Sequence, residues 1–424
     1  MTRTLTPRSA LSPLQPVALA LALAASQCAW AEANPYYIGV SQSFSHDSNL
    51  FKLQGSQANS AETISSTGLV GGIDQPIGRQ RLRVNGTVNS NRYSNNATLN
   101  NTGYGLNAAL DWATIERLSG TVSYSANQNL ANYGTPNTQS ITTRNLQKTQ
   151  EFSAQAVLGG VTRLSFTGGL THRSVDYSAL AYDAQQFNQD AVNLGVRYRF
   201  SGALDAGAAL RMTQGHYPHF QPLLGGGFQS DTLKRRDLDL TANWTPTGAT
   251  SLSGRVSLGK QTHSVTSLRD FSGVTGSLAI NHNPGGRLRY SALLSHDTGT
   301  ENSFINLVDI NGAPISAVTD NSRLSTAVQF SANYEATAKI QLNAALRLSR
   351  RSLVDTLTIS NGAPPTGNTG TDTVTGVNFG ASYVPLRNLF LACGIGHERR
   401  SSSSLLSSNY NTNTASCSAK FTLQ

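Results

Sequence analysis

The sequence predicts an all-β chain: a transmembrane antiparallel up-and-down β-barrel of about 18 strands, with 16 as the alternative count. Three observations carry this reading. Apolar side chains recur at every second position through most of the chain. The runs are joined by connections that alternate between short and long. The composition is poor for a water-soluble core of this size: 424 residues with only 38% hydrophobic and 13% charged, 38 Gly and two Met. Strand side chains point alternately to opposite faces. A barrel with an apolar outside and a wet inside therefore needs about half its strand positions apolar and half small and polar.

The stretch 238–258 shows the unit. Leu238, Leu240, Ala242 and Trp244 alternate with Asp239, Thr241 and Asn243. After the break Pro246-Thr247-Gly248-Ala249, Leu252, Gly254, Val256 and Leu258 alternate with Ser253, Arg255 and Ser257. Two such runs around a tight break form an antiparallel hairpin.

The N-terminus reads as a secretory signal over residues 1–31, with the barrel over 32–424. Arg3 and Arg8 form a basic start, Leu14 to Ala25 an apolar core, and Ala29-Trp30-Ala31 a cleavage site before Glu32. Cys28 leaves with the signal. No later apolar run reaches the roughly 20 residues that a membrane helix needs. The formal charge of +9 falls to about +7 without Arg3 and Arg8. A basic exported chain can meet anionic lipid, lipopolysaccharide or an acidic polymer. Scattered basic residues argue against nucleic acid.

In chain order, the first strand lies near Tyr36–Phe44 and the second near Ile64–Ile73, followed by a break at Asp74–Gly78. Leu82 to Val88, Tyr104 to Trp112 and Val122 to Ala126 come next. Phe152 to Leu158 and Leu164 to Leu170 flank the turn Gly159–Thr162. Val192 to Phe200 and Leu204 to Met212 flank Ser201-Gly202. The 238–258 hairpin follows, then Val274 to Ile280, a turn at Asn283-Pro284-Gly285-Gly286, and Leu288 to Leu294. Leu324 to Tyr334 and Ile340 to Leu348 flank Glu335–Lys339. Phe379 to Tyr383, Leu389 to Ile395 and Ala415 to Leu423 complete the set. Two long strands per hairpin separate this pattern from the four short strands of a propeller blade. Strict alternation of short and long connections is barrel wiring, with short periplasmic turns and long outer loops.

Aromatics on the apolar parity cluster beside the short turns: Trp112, Tyr198, Phe200, Trp244, Tyr334, Tyr383 and Phe421. They read as an aromatic girdle. The polar parity carries Arg83, Asp111, Glu151, Arg197, Arg211, Asp239, Arg255, Arg289, Arg323 and Arg347, together with Arg199, Asp205, Asp237 and Lys420. These are expected to line a lumen in which bases outnumber acids. Such a lumen would favour anions, unless Arg–Asp pairing only braces the wall. Tyr93, Tyr133, Tyr177, Tyr182, Tyr217, Phe220 and Tyr410 are assigned to outer loops, where they would form a stacking surface at the mouth. Inward aromatics are almost absent from the strands.

Cys393 and Cys417 face each other if the last loop is centred near Leu405. They are either a disulfide or two outward thiols. His46-Asp47 and His296-Asp297 fall where strands meet loops, without a serine nucleophile or paired acids in a recognisable setting. No Cys/His cluster has metal spacing. The chain is expected not to be an enzyme and to use no cofactor.

Four segments carry a resemblance: Pro35–Phe51, Gly72–Arg79, Leu110–Gly120 and Cys417–Gln424. They resemble the β-barrel porins of proteobacteria of the kind associated with exopolysaccharide biosynthesis operons. The resemblance spans the mature chain and offers no catalytic motif. It implies a bacterial outer-membrane location and suggests polysaccharide export, with outer-membrane lipid, lipopolysaccharide, the assembly machinery and polysaccharide-export proteins as partners. The ending departs from the usual outer-membrane pattern: the last residue is Gln424, with Phe421 three positions back. The expected function is a channel for exopolysaccharide or anionic solutes. The alternatives are a general diffusion porin and a plugged barrel that presents its loops. An inward-folded loop at 297–321 or 351–372 would mark a constricted porin; an open lumen would favour export.

Overall fold

The computed structural model describes residues 34–424 apart from 55–59, 116, 135–140, 224–225, 266, 299–321, 358–365 and 404–406. The signal segment lies outside the described residues. Eighteen strands follow in order: β1 (Tyr36–Asp47), β2 (Glu62–Ile77), β3 (Gln80–Tyr93), β4 (Asn101–Ala113), β5 (Leu118–Leu130), β6 (Leu146–Leu158), β7 (Leu164–Tyr177), β8 (Phe187–Arg199), β9 (Leu204–Pro222), β10 (Phe228–Thr247), β11 (Thr250–His263), β12 (Phe271–His282), β13 (Leu288–Asp297), β14 (Ser322–Glu335), β15 (Ile340–Leu357), β16 (Thr366–Leu386), β17 (Leu389–Ser402) and β18 (Tyr410–Leu423). Each pairs antiparallel with its sequence neighbours, and β1 pairs antiparallel with β18 from Ile38↔Leu423 to Asp47↔Thr414. The sheet therefore closes, and the chain is an 18-stranded barrel rather than a 16-stranded one. Closure leaves no unpaired sheet edge. No helix among the described residues is long and apolar enough to cross a membrane.

The alternation in the sequence becomes a division between outside and inside. Outward positions carry large exposed apolar side chains, such as Ile38, Leu194, Leu240 and Ile395; Leu194 is 67% accessible. A water-soluble protein would bury such side chains. The inside is polar, so the usual core is inverted. Buried apolar clusters occur instead at the loop end of the barrel. One holds Phe51, Tyr93, Leu99 and Tyr133; the other holds Val175, Phe187, Tyr217 and Leu233.

Strands run further toward the loop end than the sequence reading placed them. Residues 217–220 belong to β9, Tyr93 ends β3, Tyr177 ends β7 and Tyr410 begins β18. The segment 351–372 is mostly strand as well: Arg351 pairs with Asp372 and Leu357 with Thr366. Alternation there no longer separates apolar from polar, because outward residues above the apolar band are themselves polar, and so the pattern fades before the pairing does. The β9–β10 connection is consequently short, which blunts the expected contrast of turns and loops at that hairpin. At the other end, β2 continues through Asp74–Ile77, and the chain reverses at Gly78 and Arg79. Gly78 has φ +62, a region where a side chain would be strained.

Candidate functional site

The lumen is built by the inward positions. A cavity of about 1110 Å³ occupies the turn-end half against β8 and β10–β18, lined among others by Arg197, Asn243, Arg255, Asn333, Arg347 and Asn378. Asparagine recurs on this face for a structural reason. Asn85, Asn89, Asn193, Asn343 and Asn378 each stand directly opposite an inward glycine: Gly72, Gly68, Gly169, Gly380 and Gly396. A Cβ on any of these glycines would press into the facing amide oxygen. The asparagines therefore lie over their glycines along the wall, and the surface is amide-rich and flat. Each pair spans one hairpin, and the asparagine and glycine that meet are matched by register, not by a local motif.

Most inward charges are paired. Arg83 bonds Asp111, Arg197 lies 3.5 Å from Asp205, and Arg289 bonds Glu335. Mid-wall, Arg211 holds Asp239 through two hydrogen bonds of 2.9 and 3.1 Å and stands 3.3 Å from Asp237. Arg235 donates to Asp237 and to Thr275, and its other arm donates to Thr298, just past the end of β13. Arg255 bonds Asp297 at 3.1 Å and lies 3.8 Å from Asp239. Toward the loop end Arg351 holds Asp372 through both oxygens. Arg235, Asp297, Asp372 and Arg400 join the inward set only because the strands are long. With them, and with Asp74, Glu335 and Glu398, inward acids match inward Arg and Lys in number among the described strands. This corrects the expected basic surplus: Arg83, Arg197, Arg211, Arg255 and Arg289 face inward as the sequence reading has them, and the structure supplies an acidic partner for each. Glu151 stands opposite Arg173. Arg347 faces the cavity with its Nε unbonded. The side chain of Arg323 lies outside the described residues.

The loop-end half carries buried aromatic side chains inside the wall. Phe187 and Tyr217 lie tilted against each other with centroids 5.6 Å apart, and the Arg173 guanidinium lies over Phe187 at 5.8 Å. Phe51 meets Tyr133 edge-on at 5.0 Å. Arg400 reaches from β17 to the Gly134 carbonyl in the β5–β6 connection, and its guanidinium lies 4.5 Å from the Tyr410 ring. Inward aromatics are thus present after all. Tyr93, Tyr133, Tyr182, Tyr217 and Tyr410 are buried in packing, so they offer no open stacking surface at the mouth. Residues 299–321 lie outside the described residues; the adjoining Asp297 and Thr298 turn into the lumen onto Arg255 and Arg235.

His46-Asp47 and His296-Asp297 cannot act as dyads, because neighbours on a strand face opposite ways. His46 bonds Thr63 outside, whereas Asp47 bonds Lys52 and Thr412 inside. His296 bonds Thr326, whereas Asp297 bonds Arg255. A different pair does form, across β10 and β11 at the loop end: His263 Nδ1 and Asp231 lie 2.6 Å apart. Gln261 engages Nε2, so neither ring nitrogen is left for a reacting group. This level lies beyond Leu238 and Leu258, the last outward apolar residues of their strands. Burial alone would raise the Asp231 carboxyl. The hydrogen bond and electrostatic pull of His263, with donation from Ser264 and the Val265 amide, outweigh it and hold the group at about 2. Among the described residues no group of three or more His, Cys, Asp or Glu could hold a metal ion.

Outward, Trp112, Tyr198, Trp244, Tyr334, Tyr383 and Phe421 stand at the turn end, and Phe200 packs edge-on against Tyr198 just past β8. Cys393 and Cys417 are outward register partners and are joined by a disulfide, with Cα atoms 4.1 Å apart.

No family model matches the chain, and no curated protein sequence matches it. Among solved structures it is similar to the outer membrane protein OpdK of Pseudomonas aeruginosa, at 14% identity and a TM-score of 0.43, covering 92% of this chain and 99% of that one. OpdL of the same organism gives 10% identity and 0.44, covering 92% and 98%. The FrpB iron transporter of Neisseria meningitidis gives 10% and 0.46, covering 88% of this chain and 62% of that one. At these scores the similarities add no argument to what the strand pairing already establishes. Nor does any of them carry a link to exopolysaccharide biosynthesis.

Proposed function

We propose that the chain is a passive outer-membrane channel for small hydrophilic solutes, not an enzyme. The observation that carries this is the inversion: a closed barrel with exposed apolar side chains outside and an amide- and ion-pair-lined cavity inside. Such an outer face is stable against lipid and unstable against water. On β15 the outward apolar run from Ile340 to Leu348 spans about 20 Å along the barrel axis at the usual strand rise and tilt, close to the height of a barrel's lipid band. The short turns then face the periplasm with the aromatic girdle at that interface, and the long connections face outward. Assembly machinery of the outer membrane is the expected route of insertion.

The lumen supports a constricted channel over an export conduit. Buried aromatics fill part of the loop-end half, and the Arg211–Arg235–Arg255 network stands mid-wall between it and the cavity. Charge pairing also removes the ground on which an anionic cargo rested, so anions gain little over cations. Passage of an uncharged polysaccharide is a second reading, favoured only by the flat amide wall, and export proteins would be partners only there.

Ion conductance of the refolded protein in a planar bilayer tests this. Steps with near-equal anion and cation permeability are expected. Removing Arg255 or Arg289 should leave Asp297 or Glu335 uncompensated and shift the preference toward cations. No conductance from a folded, inserted barrel would sink the channel reading and leave a plugged barrel that presents its loops.

A further inference from the structure

Inward acids and bases balance, so the basic excess of the strands lies on the outer face. It is placed narrowly there. Among the described residues, outward Arg and Lys of the strands occur only at their loop ends, above the apolar band. The densest group is Lys234, Arg236 and Lys260 on β10 and β11, all exposed. Arg236 stands directly opposite Lys260. Lys234 is flanked by Gln214 and Thr262, and Arg236 by Met212.

Like charges opposite one another across two strands repel. Here no outward acid of β9 to β12 offsets the repulsion. The nearby acids Asp231, Asp237 and Asp239 point inward through the other face of the sheet, held by His263, Arg235 and Arg211. The outward acid next nearest in the row of Lys234 is Asp190 of β8, one strand beyond Gln214, and it is engaged by His172; the strands that flank the cluster therefore give it no carboxylate partner. Directly toward the turn end on the same face lie Leu238, Leu240, Val256 and Leu258, all exposed. Cations immediately above an apolar strip match an amphiphile with phosphate groups at its head and acyl chains below. Lysine ammonium and arginine guanidinium both bind phosphate through charge-assisted hydrogen bonds.

We propose that Lys234, Arg236 and Lys260 bind the phosphates of a phosphorylated glycolipid of the outer leaflet, whose acyl chains lie along Leu238, Leu240, Val256 and Leu258. This rests on the reading of the barrel as an outer-membrane protein. The cluster sets the height of the barrel in the leaflet and immobilises lipid against the β9–β11 wall, opposite the buried Arg211–Asp239 network of the lumen.

The test uses the full mature protein inserted in phospholipid vesicles, with bisphosphorylated lipid A and its phosphate-stripped form as probes. Lipid retained on extraction is measured by native mass spectrometry. Wild type should retain the bisphosphorylated lipid at least tenfold better than the stripped form. The triple variant K234Q/R236Q/K260Q should lose that preference with unchanged conductance. Lys260→Glu should lose it as well, because the new carboxylate would pair with Arg236 in place of phosphate, and this variant keeps the barrel folded. Equal retention of both lipids by wild type, or full retention by the triple variant, would overturn the proposal while leaving the channel reading intact. Failure of the wild type to insert at all would overturn both.

Discussion

Replacing Leu240 by arginine probes the inversion on which the functional reading stands. Leu240 lies outward on β10, 46% accessible, between Ala208 of β9 and Val256 of β11. Outward neighbours on its own strand are Leu238 and Ala242, so it sits within the apolar band and not at its rim. An arginine on the lipid face near the bilayer midplane costs about 2–4 kcal/mol, and close to an interface about 0–1. Leu240→Arg should therefore destabilise the barrel by about 2–4 kcal/mol. Thr232→Arg, outward on the same strand above Lys234 and Arg236, should change stability by under about 1 kcal/mol. Thr241→Arg, one residue from Leu240 but facing the lumen, should also be mild, because a wet cavity accepts the guanidinium. Urea unfolding from phospholipid vesicles, followed by tryptophan emission and by the gel shift of folded barrels, measures all three. If Leu240→Arg lay within about 0.5 kcal/mol of wild type, the outer face would not be facing lipid, and the argument from inversion would fail.

Three further outcomes follow from single contacts. The Cys393–Cys417 disulfide closes a separation of 24 residues, so its removal as C393S/C417S should lower stability by about 3 kcal/mol, read as a reductant-sensitive shift of the unfolding midpoint. Asp231 is held at about 2 in the folded barrel, below the roughly 3.9 of an unfolded aspartate. The stability it contributes is thus complete above pH 4 and is lost as pH falls toward 2; amide exchange at the loop ends of β10 and β11 should rise over that window, and Asp231→Asn should abolish the dependence. Gly380→Val should push the Asn343 amide off the wall and into the cavity, since the facing atom is the end of a mobile side chain. A fall in single-channel conductance with a stability change under about 1 kcal/mol is the expected result; unchanged conductance would show that the cavity is not the ion path.

By itself the sequence determined the barrel, its strand order and the facing of each side chain within the apolar band. That information is local: period two sorts residues such as Leu238 to Trp244 onto one face and Asp239 to Asn243 onto the other, and short turns place neighbours side by side. It also brought Cys393 opposite Cys417, because a hairpin's register follows from its turn and its parity. Where the strands rise above the band, outward residues become polar, the period loses contrast, and Tyr217, Tyr410 and the 351–372 segment no longer read as strand. The character of the lumen was decided only by tertiary structure. Arg255 meets Asp297 and Arg235 meets Thr298 because long side chains reach past a neighbouring strand, and Asn343 lies over Gly380 by cross-strand register. Charge facing inward was visible along the chain, whereas charge neutralised by a partner on another strand was not. A lumen that parity alone makes basic is therefore balanced in the folded molecule, and the net positive charge of the strands is left on the outside, most densely at Lys234, Arg236 and Lys260.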